Sequence, residues 1–117
     1  MSADPVLWHD VCSARDLAPG GVKEVIAGDQ MVAVANIGGT IYAMDGVCAH
    51  QGGPLGKGKL EACTLTCPWH GWQYDATTGR QVLSKTIRQA TFAVKLERDR
   101  IWVSLSKGDG GNQLGES

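Results

Sequence analysis

The 117-residue sequence has little net charge, a single Phe and no long apolar segment. Eleven basic and twelve acidic residues give a formal charge of −1, which argues against a nucleic-acid-binding protein, because such proteins usually carry a basic face. The longest apolar runs, such as 31–35, are too short to cross a membrane. The first residues lack the basic and apolar regions of a secretory signal, so we expect a cytoplasmic protein that binds neither nucleic acid nor membrane.

The chain is rich in glycine, with sixteen residues, and in short β-type runs. Gly38-Gly39 between two apolar runs predicts a tight hairpin, and alternating apolar residues near the end predict a closing hairpin. This pattern predicts an all-β fold, an antiparallel sandwich or barrel, in one domain over residues 1–105, followed by a flexible tail over 106–117. The expected elements are strands at 6–11, 22–26, 31–37, 40–44, 64–66, 72–74, 92–96 and 101–105, and a helical turn at 13–17 with Ser13 as its cap.

The long segment 45–71 does not fit a plain β-sheet, because it is rich in Gly, Pro, Cys and His. Loops of this length in a compact domain are usually functional or disordered. Two clusters lie in it, Cys48-Ala49-His50 and Cys67-Pro68-Trp69-His70. Thiolate sulfur and imidazole nitrogen suit zinc or an iron–sulfur cluster, so the segment predicts a metal centre.

The distribution of the ligands favours iron and sulfur over zinc. Structural zinc sites usually pair two Cys in one knuckle and two His in the other, whereas here each loop offers one Cys and one His. A [2Fe–2S] cluster accepts such loops when one iron takes both Cys and the other takes both His. A zinc-stabilised binding module stays open as the remoter alternative.

The two clusters, read in full as C-A-H-Q-G-G and C-P-W-H-G-W-Q-Y-D, resemble those of the Rieske proteins, specifically the small ferredoxin components of ring-hydroxylating dioxygenases. The resemblance extends from about Leu7 to Leu105 and includes the segment 11–20. It implies an all-β Rieske domain with a small cluster-binding subdomain, whose loops lie at about 45–74, and one Rieske-type [2Fe–2S] cluster. By the same resemblance, the inner iron would be held by Cys48 and Cys67, and the outer iron by His50 and His70.

Residues around these ligands imply a low reduction potential. High-potential respiratory Rieske proteins carry a disulfide at the positions of Gly53 and Trp69, and a sulfide-binding Ser at the position of Trp72. The Tyr of those proteins that can donate to a ligand sulfur is present here as Tyr74. Because the Ser donor and the disulfide are missing, we expect a reduction potential of about −150 mV, at the low end of the Rieske range. The residues expected to surround the cluster are Gly52, Gly53, Pro54, Trp69, Gly71, Trp72 and Tyr74.

Three histidines are too few for an oxygenase of this family. Such an enzyme also needs a mononuclear iron held by two His and a carboxylate, and once His50 and His70 bind the cluster only His9 remains. The resemblance therefore implies an electron carrier rather than an enzyme. It would pass electrons as a monomer from an NAD(P)H-dependent flavoprotein reductase to a terminal oxygenase of aromatic hydrocarbon catabolism. The small subunit of a nitrite reductase-like enzyme is the nearer alternative.

The remaining cysteine, lysine and tryptophan residues do not by themselves indicate a further function. Cys12 and Cys63 are predicted to be small buried side chains. Lys57 and Lys59 fit a solvated loop better than a docking site for an acidic partner. Trp69 and Trp72, on either side of His70, fit both a contact with a partner and packing over the cluster.

Overall fold

The structure is a computed structural model that describes residues 7–48, 52–69, 71–84 and 86–107. His50, His70, the predicted strand start at Val6 and the tail residues 108–117 lie outside the described residues. Within the described ranges, no helix is long and apolar enough to cross a membrane.

A six-stranded antiparallel sheet forms the base of the molecule, in the order β1-β9-β8-β4-β3-β2. The end strands β1 and β2 contact each other, so the sheet curves into a nearly closed barrel. Its strands are β1 (Trp8–Ser13), β2 (Val22–Ala27), β3 (Gln30–Ile37), β4 (Thr40–Asp45), β8 (Thr91–Glu97) and β9 (Arg100–Lys107).

A smaller antiparallel sheet is inserted between β4 and β8, in the order β5-β6-β7. Its strands are β5 (Lys59–Glu61), β6 (Thr64–Thr66) and β7 (Gln73–Asp75), and a 3-10 turn, Leu55–Lys57, precedes them. The predicted all-β fold with a barrel base and a small subdomain is confirmed. The division into one domain and a tail stays a prediction, although β9 continues two residues past Leu105.

Strand β3 joins the two sheets because both of its faces are buried. Val32 and Val34 point into the barrel core, while Ala33 and Ala35 point into a second core below the small sheet. This double burial explains why residues 31–35 form a continuous apolar run instead of an alternating one. The small size of Ala on the outer face allows the subdomain to approach the barrel closely.

The second core contains the predicted cysteine ligands. Leu55 and Leu65 are fully buried there, and each contributes about 1.5–3 kcal/mol relative to an exposed position. Other members are Met44, Cys48, Cys67, Tyr74 and Ala76, with Leu60 and Trp72 packed against them. Hydrophobic packing therefore holds the two loops that carry the cysteines against the barrel.

The prediction for Cys63 was wrong, because its side chain is exposed. Cys63 lies in the two-residue turn between β5 and β6, next to Ala62, whose φ is +55°. A turn at the tip of a small hairpin has no second layer to cover it, so the side chain points into solvent. By contrast, Cys12 is buried as expected, and burial raises the pKa of its thiol.

Two local predictions differ from the structure in instructive ways. The strand β5 was not predicted, because Lys59 and Glu61 are exposed and Leu60 alone gives no alternating pattern. The helical turn predicted at 13–17 is shorter, a 3-10 turn over Ala14–Asp16, because Ser13 and Leu17 are its caps. The Ser13 hydroxyl accepts a hydrogen bond from the Arg15 N–H at 3.1 Å, as expected for a cap.

Candidate metal centre

Cys48 and Cys67 come from different loops and meet in the second core. Cys48 follows β4 and Cys67 follows β6, and their exposed fractions are 3% and 1%. The two thiols are neighbours, since a side-chain hydrogen bond with Cys48 raises the pKa of Cys67. The structure thus brings together the two residues predicted to hold one iron.

The environment of Cys67 favours the protonated thiol. Burial is the main cause that raises the pKa of Cys67, and the neighbouring Cys48 raises it further. The Trp69 N–H acts in the opposite direction, because it donates to Cys67 Sγ at 3.4 Å and lowers the pKa. Since metals bind the thiolate, binding here must release protons.

The first loop is a tight turn closed by backbone hydrogen bonds. The Cys48 N–H donates to the Gly53 carbonyl at 2.8 Å, and the Gly52 N–H donates to the Cys48 carbonyl at 2.9 Å. Gly52 has a φ of +75°, in the left-handed region that glycine adopts without strain. Val47 and Pro54 form an isolated β-bridge just outside this turn, so its two ends are held together.

The second loop connects β6 to β7 and is closed in the same way. The Cys67 N–H donates to the Trp72 carbonyl at 2.7 Å. Gly71 also has a positive φ, +73°, directly after His70. The pairing of β6 with β7 therefore fixes where the loop starts and ends.

Gly53 is required for space rather than for its backbone angle. A Cβ atom at this position would lie 2.7 Å from Cys67 Sγ and 3.0 Å from the Trp69 Cβ. Real Cβ atoms do not approach a sulfur atom so closely, so a side chain here would displace Cys67 Sγ. The two loops are thus packed against each other at the cysteine pair.

Tyr74 lies beside the cysteine pair, as its position in the second motif suggested. Its side chain is fully buried, and its Oη is 3.2 Å from Cys48 Sγ. A metal-bound thiolate carries no proton, so the tyrosine hydroxyl is then the only possible donor in this contact. Such a hydrogen bond would stabilise negative charge on the sulfur.

The two tryptophans have different environments. Trp69 is half exposed, with 50% of its side chain accessible, although it touches the first loop at Gly53. Trp72 is partly buried and packs against the second core. Packing over the core thus describes Trp72, while Trp69 presents apolar surface next to the ligand loops.

Charges near the loops are compensated locally. Lys57 lies 3.8 Å from Glu24, and Lys59 lies 3.7 Å from Glu61. Such exposed ion pairs contribute little to the free energy of unfolding. Each lysine charge is nevertheless balanced by a neighbouring carboxylate, so the two lysines do not form a positive patch. The interpretation as a solvated loop fits them better than a docking site for an acidic partner.

One buried contact to the first loop had no signal in the sequence. The side chain of Gln89, which is 4% exposed, donates to the backbone carbonyls of Asp45 and Val47. Gln89 belongs to no motif and lies more than forty positions away along the chain. Only the folded structure brings it next to the loop.

The donor set fits a thiophilic metal centre. Two buried thiols face each other on two glycine-containing loops, and the room beside Cys67 exists only because Gly53 lacks a side chain. Among the described residues, no third Cys, His, Asp or Glu completes a metal-binding group with them. The predicted outer ligands His50 and His70 follow the described ends of the same loops.

The comparisons with known proteins identify the family of the chain. Residues 7–95 match the family described as Rieske [2Fe-2S] domain. The chain is 34% identical over 99 residues to the ferredoxin component of biphenyl 2,3-dioxygenase from Rhodococcus jostii (strain RHA1), which covers 84% of this chain and 92% of that one. It is also 28% identical to the oxygenase component of 3-ketosteroid-9-alpha-monooxygenase from Rhodococcus rhodochrous, but spans only 26% of that relative.

A solved structure shows the same relationship at the level of the fold. It is a complex of reduced oxygenase and oxidized ferredoxin in carbazole 1,9a-dioxygenase, and a chain in it superposes with a TM-score of 0.79 at 29% identity. The superposition covers 89% of this chain and 98% of that chain.

Two buried thiols on paired loops, carried by a small sheet on an antiparallel barrel, define an iron–sulfur electron-transfer protein. The chain belongs to the Rieske [2Fe-2S] domain family. It holds one Rieske-type [2Fe–2S] cluster, and it is an electron carrier of the ferredoxin type rather than an enzyme.

We expect Gly53→Ala to impair cluster binding. The added methyl group overpacks the site against Cys67 Sγ, at a cost of about 1–3 kcal/mol in the free energy of unfolding. Iron and sulfide content per protein, measured after purification, should fall below the wild-type value. Gly38→Ala is the matched control, because it strains a positive φ at a cost of about 1–2 kcal/mol but meets nothing within 4 Å. Equal iron content in both variants would contradict the steric role of Gly53.

We expect Tyr74→Phe to lower the reduction potential. The reduced cluster carries more negative charge than the oxidised cluster. Removal of the hydroxyl donor to Cys48 Sγ therefore destabilises the reduced cluster more than the oxidised one. If the bond is stronger in the reduced state by up to about 0.5–1.5 kcal/mol, the potential decreases by up to roughly 20–65 mV for a one-electron couple. The measurement is a potentiometric titration. Tyr42→Phe in β4, the only other tyrosine, is the control and should leave the potential unchanged.

Proposed function

We propose that the cluster is held by Cys48, His50, Cys67 and His70, and that the chain passes single electrons from an NAD(P)H-dependent flavoprotein reductase to a terminal aromatic-ring-hydroxylating oxygenase. The observation that carries this proposal is the buried pair of thiols, Cys48 and Cys67, each followed in sequence by one histidine. The span of the similarity supports it, because the chain covers 92% of a ferredoxin component but only 26% of an oxygenase component.

The bound cluster supplies a centre that accepts and returns one electron without proton or group transfer. The residues of the chain set its potential and its access. Cys48 and Cys67 bind from the buried side, where apolar neighbours exclude water, and Tyr74 donates toward Cys48 Sγ. Because only one such side-chain donor is expected, the proposed potential is about −150 mV, at the low end of the Rieske range.

The histidine side of the site is proposed as the point of electron entry and exit. Trp69, which precedes His70, exposes half of its surface, and Val47, which precedes Cys48, is also exposed. Together they form an apolar rim beside the ligand loops, and the nearby Lys57 is paired with Glu24. We therefore propose that a partner contacts this rim mainly through apolar surface.

The setting proposed for the carrier is the cytoplasm, where it acts as a monomer. No disulfide joins any of the four cysteines, all of which lie among the described residues, as expected for a reducing compartment. The alternative role, a permanently bound small subunit of a nitrite reductase-like enzyme, predicts a stable complex in pull-down experiments. A transient carrier instead turns over with separate reductase and oxygenase components.

The decisive test is the redox chemistry of the purified protein. We expect equal amounts of iron and sulfide, and an EPR signal that appears only after one-electron reduction by dithionite. His50→Ala and His70→Ala should each abolish that signal while the far-UV circular dichroism of the barrel persists. A colourless protein with stoichiometric zinc would establish the binding-module alternative and overturn the proposal.

We expect Trp69→Ala to weaken transfer to the oxygenase without changing the cluster. The backbone N–H that donates to Cys67 Sγ is retained, so the potential should change little, whereas an apolar contact with the partner is lost. In a reconstituted system, the concentration of carrier that gives half-maximal turnover should rise by about tenfold, corresponding to about 1.4 kcal/mol. Leu96→Ala is the control, since Leu96 is 40% exposed but lies at the far end of β8. Equal effects of the two variants would exclude the rim as the contact.

A further inference from the structure

We propose that Gln89 is a positioning residue that fixes Cys48 relative to Cys67 and thereby retains the cluster and tunes its potential. This inference rests on the proposed ligand role of Cys48. Gln89 itself touches no ligand side chain, and it would act through the backbone of the first loop.

The side-chain amide of Gln89 holds two carbonyl groups of one short segment. Its Nε2 donates to the Val47 carbonyl at 2.6 Å and to the Asp45 carbonyl at 3.1 Å. The donor side chain is shielded from water, because Gln89 is only 4% exposed. The amide group of glutamine has two donor hydrogens, and both are donated to the backbone segment that precedes Cys48.

The bond to Val47 leads directly to the ligand. The Val47 carbonyl and the Cys48 N–H belong to the same peptide group, and that N–H donates to Gly53 at 2.8 Å. Gln89 therefore begins a chain of hydrogen bonds that passes through the Cys48 peptide to the residue packed against Cys67. A peptide group held at both ends cannot rotate, so the Cα of Cys48 is fixed.

The backbone of Gln89 is itself fixed to the second half of the site. Its N–H donates to the Gly79 carbonyl at 2.6 Å, in the turn that follows β7. Strand β7 carries Tyr74, whose hydroxyl contacts Cys48 Sγ. The sulfur and the peptide of Cys48 are thus held by two side chains that belong to one continuous stretch of chain.

The position of the first loop has a second support. Asp45 Oδ1 accepts the Val47 N–H at 2.9 Å and the Gln30 Nε2 at 3.2 Å. These bonds hold the segment from the barrel side, whereas Gln89 holds it from the inserted subdomain. Without Gln89, the loop would stay attached to the barrel but would lose its register with the loop of Cys67.

The test is Gln89→Met in the cluster-containing protein, compared with Gln81→Met. Methionine keeps the volume and removes both donors, so the Asp45 and Val47 carbonyls lose their hydrogen bonds to residue 89. Gln81 is the matched control, since it is 7% exposed, lies in the same stretch of chain and its side-chain oxygen accepts from the Leu83 N–H at 3.1 Å. We measure cluster loss to an iron chelator from the visible absorbance, the reduction potential and the EPR spectrum.

For Gln89→Met we expect cluster loss on the order of tenfold faster than for Gln81→Met. We also expect a lower potential, because two carbonyl oxygens near the ligand loop lose the donors that offset their negative charge, and a changed EPR spectrum. Equal loss rates, potentials and spectra in the two variants would overturn the inference. A wild-type protein without the cluster would instead overturn the proposed function, so the two failures are distinguishable.

A second pair of variants covers the case in which Gln89→Met does not fold. Asparagine keeps the amide but is one methylene shorter, so Gln89→Asn cannot reach both carbonyls, whereas Gln81→Asn changes only a local turn contact. Faster cluster loss in Gln89→Asn than in Gln81→Asn supports the positioning role, and equal rates overturn it.

Discussion

Cys48 and Cys67 share one apolar core with strand β3 of the barrel, and the architecture of the site depends on this packing. Hydrophobic burial fixes two loops that are otherwise built from glycine and carry little regular structure. It requires small side chains where the loops and the barrel approach, which Ala33 and Ala35 provide. It also requires Gly53 to have no side chain, because the space beside Cys67 Sγ is needed by the site itself.

This arrangement separates the tasks of stability and electron transfer. The barrel has its own core, which includes Ile101 and Val103 and is separate from the core that contains Cys48 and Cys67. The segment between β4 and β8 adds Cys48, Cys67 and the polar contacts that act on them, including the hydroxyl of Tyr74. A change near the ligands can therefore alter the potential while the barrel remains folded.

Alternation of apolar residues predicted most strands because it reports burial on one face of a sheet. It failed for β5, where Leu60 alone is apolar. The strand over 31–37 was predicted correctly although 31–35 do not alternate, because both faces of β3 are buried. Cys63 was misassigned for a related reason, since an apolar side chain in a turn has no layer above it. The spacing of Cys and His indicated the metal centre directly, because ligand chemistry restricts residue type more strongly than packing does.

The sequence by itself determined the class of the protein: two Cys–His motifs, a β-rich pattern and too few histidines for a second iron site. Only the tertiary structure decided how the site is built. It separated Trp69 from Trp72, since exposure depends on what the fold packs above a side chain. It also brought Gln89 to the loop of Cys48 across more than forty positions, a contact that no local pattern encodes because it arises where two distant segments pack together.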